Sequence, residues 1–138
     1  GLAEERNLHL VYEVQGELQV DVILFQRALS NLVANAVRYA SEDSQITLRA
    51  SRTQDKHIIQ VINQGPPVPE AQLEKLFDRF YRAETSRSSH GSGLGLSIVR
   101  AIMTLHGGDV QAQCHPQPSG AEIIFSLIFP VKVQKHNA

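Results

Sequence analysis

Apolar positions recur along this chain at two periods, about two residues and about three and a half, and the switches between them mark its elements. His9–Val14 alternates and is rich in strand formers, Gln15–Glu17 reads as a turn, and Leu18–Val20 reads as a short strand. Asp21 stands where a helix N-cap belongs, ahead of a helical stretch reaching to about Ala40. Phe25, Leu29, Leu32 and Ala36 recur there at helical spacing, which predicts the buried stripe. After the polar break Ser41–Ser44, Ile46–Ala50 and His57–Ile62 predict two strands joined through Ser51–Lys56. Gly65–Pro69 carries three prolines and predicts a loop, because proline lacks a donor and fixes φ. Glu70–Leu76 predicts a short helix followed by an aromatic pair, Phe77 and Phe80, and Glu84–Ser92 is polar enough to predict a mobile loop. Leu94–His106 is a second amphipathic helix, with Gly107 and Gly108 as its C-terminal stop and His106 as a last-turn residue suited to the helix dipole. Val110–Cys114 and Ala121–Phe129 predict the last strands, parted by a turn at Pro116–Gly120, and Val131–Ala138 reads as a frayed tail. Helix and strand are mixed without regular alternation. The expected class is therefore α+β: a two-layer α/β sandwich, with a mixed, mostly antiparallel sheet of about five strands covered on one face by about three helices.

Composition narrows the function more than the fold. A length of 138 residues with 42% hydrophobic content suits one domain spanning 1–138. The net charge of −1, with both signs interspersed, offers no electrostatic footprint for nucleic acid or a membrane surface. No apolar run is long enough to span a bilayer, and no N-terminal signal is visible. The single cysteine, Cys114, has no internal partner, which fits a reducing compartment. Neither histidines nor cysteine show metal-ligand spacing, and there is no internal repeat.

Four clusters remain as candidate chemistry. Asn31, Asn35 and Arg38 lie four and three apart on one stripe of the long helix, where asparagine is a poor former and needs a reason. A solvated face is one reading; the other is amide oxygens for a hard cation, with Arg38 beside an anion, a mix that suits magnesium bound with phosphate. His90–Leu96, H-G-S-G-L-G-L, precedes a helix whose free N–H groups and positive dipole end suit phosphate. No Lys-Ser or Lys-Thr follows it, and no strand leads into it, so it is neither a P-loop nor a dinucleotide fingerprint. Asn63-Gln64-Gly65 closes a strand, either as an ordinary turn or as a polar reader of a base edge with Gly65 permitting close approach. Leu76–Arg82, L-F-D-R-F-Y-R, is by itself a core-plus-surface pattern.

Taken in order, these clusters resemble the N box, first glycine box, phenylalanine box and second glycine box of the histidine-kinase catalytic domain, within the ATP-binding family that also includes gyrase, Hsp90 and MutL. The resemblance runs from about Glu4 to Pro130. It implies the Bergerat-type sandwich, with ATP and Mg2+ held between the helices and a flexible lid at Thr85–His90. It further implies that Asn35 binds Mg2+, Asn31 lies beside the phosphate chain, Arg38 contacts phosphate and Tyr39 flanks the adenine. Asn63, Gly65, Val68, Phe80 and Arg87 complete the nucleotide contacts, and Gly91, Ser92, Gly93, Leu94, Gly95 and Leu96 wrap the phosphates.

Position 31 separates subclasses. ATP-hydrolysing relatives carry a water-activating glutamate there, whereas Asn31 is no general base near neutral pH. Transfer of the γ-phosphoryl group to a histidine is thus favoured over hydrolysis, with Asn31, Asn35 and Arg38 contributing by positioning and charge neutralisation. A gyrase- or Hsp90-type ATPase and a nucleotide-free scaffold are the alternative readings. Two positions depart from the family pattern. Asn63 replaces an aspartate, which loses a charge-assisted bond to adenine and adds an amide donor, and Pro67 replaces a glycine. Both resemble the variant found in heavy-metal (copper or silver) sensor kinases. None of the histidines has a phosphoacceptor context. The chain is therefore expected to be a monomeric cytoplasmic catalytic domain of a larger kinase anchored in the bacterial inner membrane. Its partners would be that kinase's own helical dimerisation and phosphoacceptor domain and a downstream response regulator. No direct contact with membrane or nucleic acid is expected of the domain itself.

Overall fold

The computed structural model describes residues 9–14, 18–78 and 95–131. Eight elements lie among them: β1 (His9–Val14), α1 (Val22–Tyr39), β2 (Gln45–Arg52), β3 (Lys56–Gly65), α2 (Glu70–Lys75), α3 (Gly95–Leu105), β4 (Asp109–Gln117) and β5 (Gly120–Pro130). The strands form one sheet in the order β1-β2-β3-β5-β4. β1 runs parallel to β2, as the α1 crossover requires, and the remaining pairs are antiparallel. The α+β sandwich expected from the hydrophobic pattern, with its mixed and mostly antiparallel five-stranded sheet, is the fold observed.

Local signals account for the long helix. The Asp21 carboxylate accepts from the Leu24 N–H at 3.0 Å, which satisfies one of the donors a helix start leaves free. Ala28, Leu32, Ala36 and Val37 are buried on its inner face, with Phe25 and Leu29 partly covered beside them. Opposite this stripe, Ala121, Ile123, Phe125, Leu127 and Phe129 alternate along β5 and point into the same core. Val61 pairs with Phe125 across β3 and β5, and α3 adds Val99, Ile102 and Met103. The core thus fills the space between the helices and one sheet face.

Boundaries moved where pairing overrode local chemistry. Leu18–Val20, expected as a strand, joins no strand among the described residues; Leu18 and Val20 pack on the core instead. The β2–β3 turn is tighter than Ser51–Lys56, closed by Thr53 N–H to Lys56 O at 2.8 Å and Lys56 N–H to the Thr53 hydroxyl at 3.1 Å. β4 continues through Pro116, which was expected in the turn. That residue is tolerated because β4 is the sheet edge and one of its sides needs no donor. The stop after α3 is as expected: Gly107 takes φ +70° and the Gly108 N–H returns to the Met103 carbonyl at 2.8 Å.

His106 does more than its last-turn position suggested. The Asp21 backbone N–H donates to its Nε2 at 3.1 Å, so Nε2 is unprotonated, and Nδ1 lies 2.8 Å from the Ile102 carbonyl to which it donates. The ring bonds a last-turn carbonyl of α3 and also bridges to the start of α1. It also meets Phe129 edge-on, with centroids 5.8 Å apart. Together these contacts fix α3 against α1, and that placement sets up the site.

Candidate functional site

The C-terminal half of α1 carries Asn31, Asn35, Arg38 and Tyr39 toward the open end of the sandwich. Asn31 Nδ2 donates to the Gly95 carbonyl at 3.3 Å, so the helix-borne amide and the last glycine of the Gly91–Leu96 segment meet directly. Gly95 opens α3, whose first N–H groups have no partners within the helix. A side chain at 95 would meet nothing within 4 Å among the described residues. Leu96, by contrast, packs against the core. It anchors the start of α3, while Gly95 leaves that start open.

A cavity of about 490 Å³ lies beside the C-terminal end of α1, without Asn31 or Gly95 in its lining. Asn35, Arg38, Tyr39, Asn63 and Val68 line it together with Ala40, Ser41, Gln72, Leu76, Ile123 and Phe125. Five residues expected at the site from sequence therefore share one wall system. The apolar floor, Ile123 and Phe125, was missed because its signal is strand register. Asn63 pairs with Ile123 and Val61 with Phe125, so these side chains form one inward row. Phe77 supports the floor from behind: it is 4% exposed, packs edge-on to Phe125 at 5.9 Å, and has the Arg100 guanidinium 4.9 Å above its ring.

Asn63 is the unusual member. It is 1% exposed in a row otherwise apolar, flanked across the sheet by Ile46 and Ile123. Its Nδ2 has no hydrogen-bond partner among the described residues. An orphan donor of this kind costs about 1–3 kcal/mol, and a ligand acceptor in the cavity would relieve it. A heteroaromatic base, flat and apolar with polar edge atoms, fits both the floor and the amide.

Gly65 has a different reason to be glycine from the expected approach to a ligand. A Cβ there would stand 2.5 Å from the Tyr39 carbonyl oxygen, and the neighbouring Gln64 carbonyl accepts from the Ser41 N–H at 2.8 Å. The glycine lets β3 close against the end of α1, which walls the cavity. Val68 is held by a long contact from its N–H to Cys114 Sγ at 3.5 Å. A wider groove of about 820 Å³ runs between α2 and β4, shares Pro67–Pro69 with the cavity, and contains neither Asn63 nor any residue of α1. Phe80, Arg87, Gly91, Ser92, Gly93 and Leu94, with the expected lid Thr85–His90 and mobile loop Glu84–Ser92, lie outside the described residues.

The family description "histidine kinase-, DNA gyrase B-, and HSP90-like ATPase" matches residues 20–132. The chain belongs to that ATPase family. Membership makes ATP the ligand class of the site, and the cavity beside α1 accords with it. Among its relatives, sensor protein CzcS of Cupriavidus metallidurans is 46% identical over 113 residues, covering 80% of this chain and 24% of CzcS. The chain spans about a quarter of the length of the curated relatives it matches. In fold it is similar to the mycobacterial sensor histidine kinase MprB, with a TM-score of 0.84 at 24% identity over 94% of this chain and 88% of that one. The catalytic domain of histidine kinase ThkA superposes with a TM-score of 0.73 at 30% identity, over 91% of this chain and 83% of that one. ThkA is also known in complex with the response regulator protein TrrA.

Proposed function

We propose that residues 1–138 act as a single catalytic domain that binds Mg-ATP and delivers its γ-phosphoryl group to a histidine on a separate helical domain. The observation that carries this reading is Asn31. Its amide donates to the Gly95 carbonyl at the mouth of α3, where a hydrolytic relative needs a carboxylate to activate water. A histidine acceptor needs no such base, because neutral imidazole is already a nucleophile. Bound ATP supplies the transferable phosphoryl group; the chain's own residues hold and orient it.

In this account Asn35 offers a hard amide oxygen to Mg2+, a cation that accepts few protein ligands beside phosphate. Arg38 neutralises phosphate charge, Tyr39 and the Ile123–Phe125 floor cover the base, and the positive dipole end at the start of α3 faces phosphate oxygens. Phe80, Arg87 and the Gly91–Leu94 stretch complete the cradle. Catalysis then rests on positioning and charge neutralisation rather than on proton abstraction.

The partners in this reading are the parent kinase's own dimerisation and phosphoacceptor domain and a response regulator. The likeness to ThkA, known in complex with such a regulator, supports the second. No helix among the described residues is long and apolar enough to cross a membrane; an inner-membrane anchor elsewhere in the parent protein is part of the proposal. A metal stimulus is proposed from the Asn63 and Pro67 departures. The test supplies the parent protein's phosphoacceptor domain together with this chain and γ-labelled ATP. Acid-labile label on the acceptor histidine is expected. Release of free phosphate without histidine labelling would replace the kinase assignment with an ATPase.

A further inference from the structure

We propose that Asn63 opens the base subsite to 6-oxopurine nucleoside triphosphates as well as to ATP. The proposal rests on the nucleotide-site reading above and adds to it a selectivity that the family pattern, with an acidic residue at this position, does not carry.

Three observations support it. Asn63 is 1% exposed and lines the cavity, so whatever base edge enters meets this side chain out of water. Its backbone is fixed by pairing to Ile46 on one side and Ile123 on the other. Its Nδ2 is buried and lacks a partner among the described residues, so no hydrogen bond from that donor holds the amide in one orientation. The remaining freedom is rotation of the amide by half a turn, which exchanges Oδ1 and Nδ2 at little cost in shape. In one orientation Oδ1 accepts from the 6-amino group of adenine while Nδ2 donates to N1. In the other, Nδ2 donates to a 6-oxo group while Oδ1 accepts from N1–H. Both bases make the same two hydrogen bonds. A carboxylate, acceptor-only when ionised, serves the 6-amino group and has no donor for a 6-oxo group.

Inosine triphosphate is the probe, because it presents the 6-oxo and N1–H edge without the 2-amino group of guanine and so tests the edge alone. Titrations of the whole chain with ATP and with ITP, both with Mg2+, are expected to give dissociation constants within about tenfold of each other. Asn63→Asp is expected to widen the ITP-to-ATP ratio at least about tenfold, the scale of one good bidentate base contact. ITP binding more than about tenfold weaker than ATP in the unaltered chain overturns the proposal, as does an unchanged ratio in Asn63→Asp. The ratio in the unaltered chain decides even where a buried carboxylate prevents the variant from folding. Tight ATP with weak ITP overturns this proposal alone. Absence of saturable binding by either nucleotide overturns the nucleotide-site reading beneath it as well.

Discussion

At one end of the candidate site, Asn63 sits 1% exposed in the inward row of the sheet, and the Tyr39 carbonyl occupies the space a side chain at 65 would need. At the other, Asn31 reaches across to the Gly95 carbonyl, and a side chain at 95 would touch nothing described. Both ends carry a glycine and an asparagine, yet for different reasons. Gly65 is explained by the packing of the chain on itself. Nothing among the described residues explains Gly95 by packing, and the proposed function assigns it to the ligand. In the proposed reading the first is the base end, built as core with one unsatisfied polar atom, and the second is the phosphate end, at the start of α3. Mutations at the first should register in stability, and mutations at the second in binding.

The strongest blow to this distinction comes from Phe77, which supports the base floor through Phe125. Phe77→Ala should destabilise the fold by about 3–5 kcal/mol, read as a fall in the urea midpoint. A loss under about 1 kcal/mol would mean the floor does not depend on that packing. Gly65→Ala should cost about 1–3 kcal/mol as the Tyr39 carbonyl is forced aside. Unchanged thermal stability would show that β3 and α1 can part there without strain. Gly95→Ala provides the mirror case. Its stability should stay within about 0.5 kcal/mol of the parent or rise slightly, while ADP affinity falls about tenfold, or about 1.4 kcal/mol. If stability fell and affinity held, the two glycines would have the same role and the comparison would collapse.

The same contrast explains what could be read from sequence. The long helix, its Asp21 cap, the Gly107 stop and the α+β class are written in local periodicity and capping, and all four are observed. Asn35, Arg38, Tyr39, Asn63 and Val68 were expected together only through the ordered motifs and the family resemblance they carry, and all five line one cavity. What depended on register or on distant contacts was not. Ile123 and Phe125 became cavity floor only through pairing with β3. Pro116 stays in a strand because β4 lies at the sheet edge. Leu18–Val20 has strand composition but joins no strand among the described residues. Gly65 and His106 were each given a local role, and each also has a tertiary one that sequence did not show: clearance for a carbonyl, and a bridge between two helices.

The most direct test of the account is calorimetry with ADP, with and without Mg2+, on the unaltered chain and on Asn35→Ala. The account predicts saturable binding that Mg2+ strengthens by about tenfold or more, about 1.4 kcal/mol, and loss of that magnesium-dependent gain in the variant, with the fold intact by circular dichroism. No saturable heat from the unaltered chain, or the same magnesium dependence in both proteins, would contradict it.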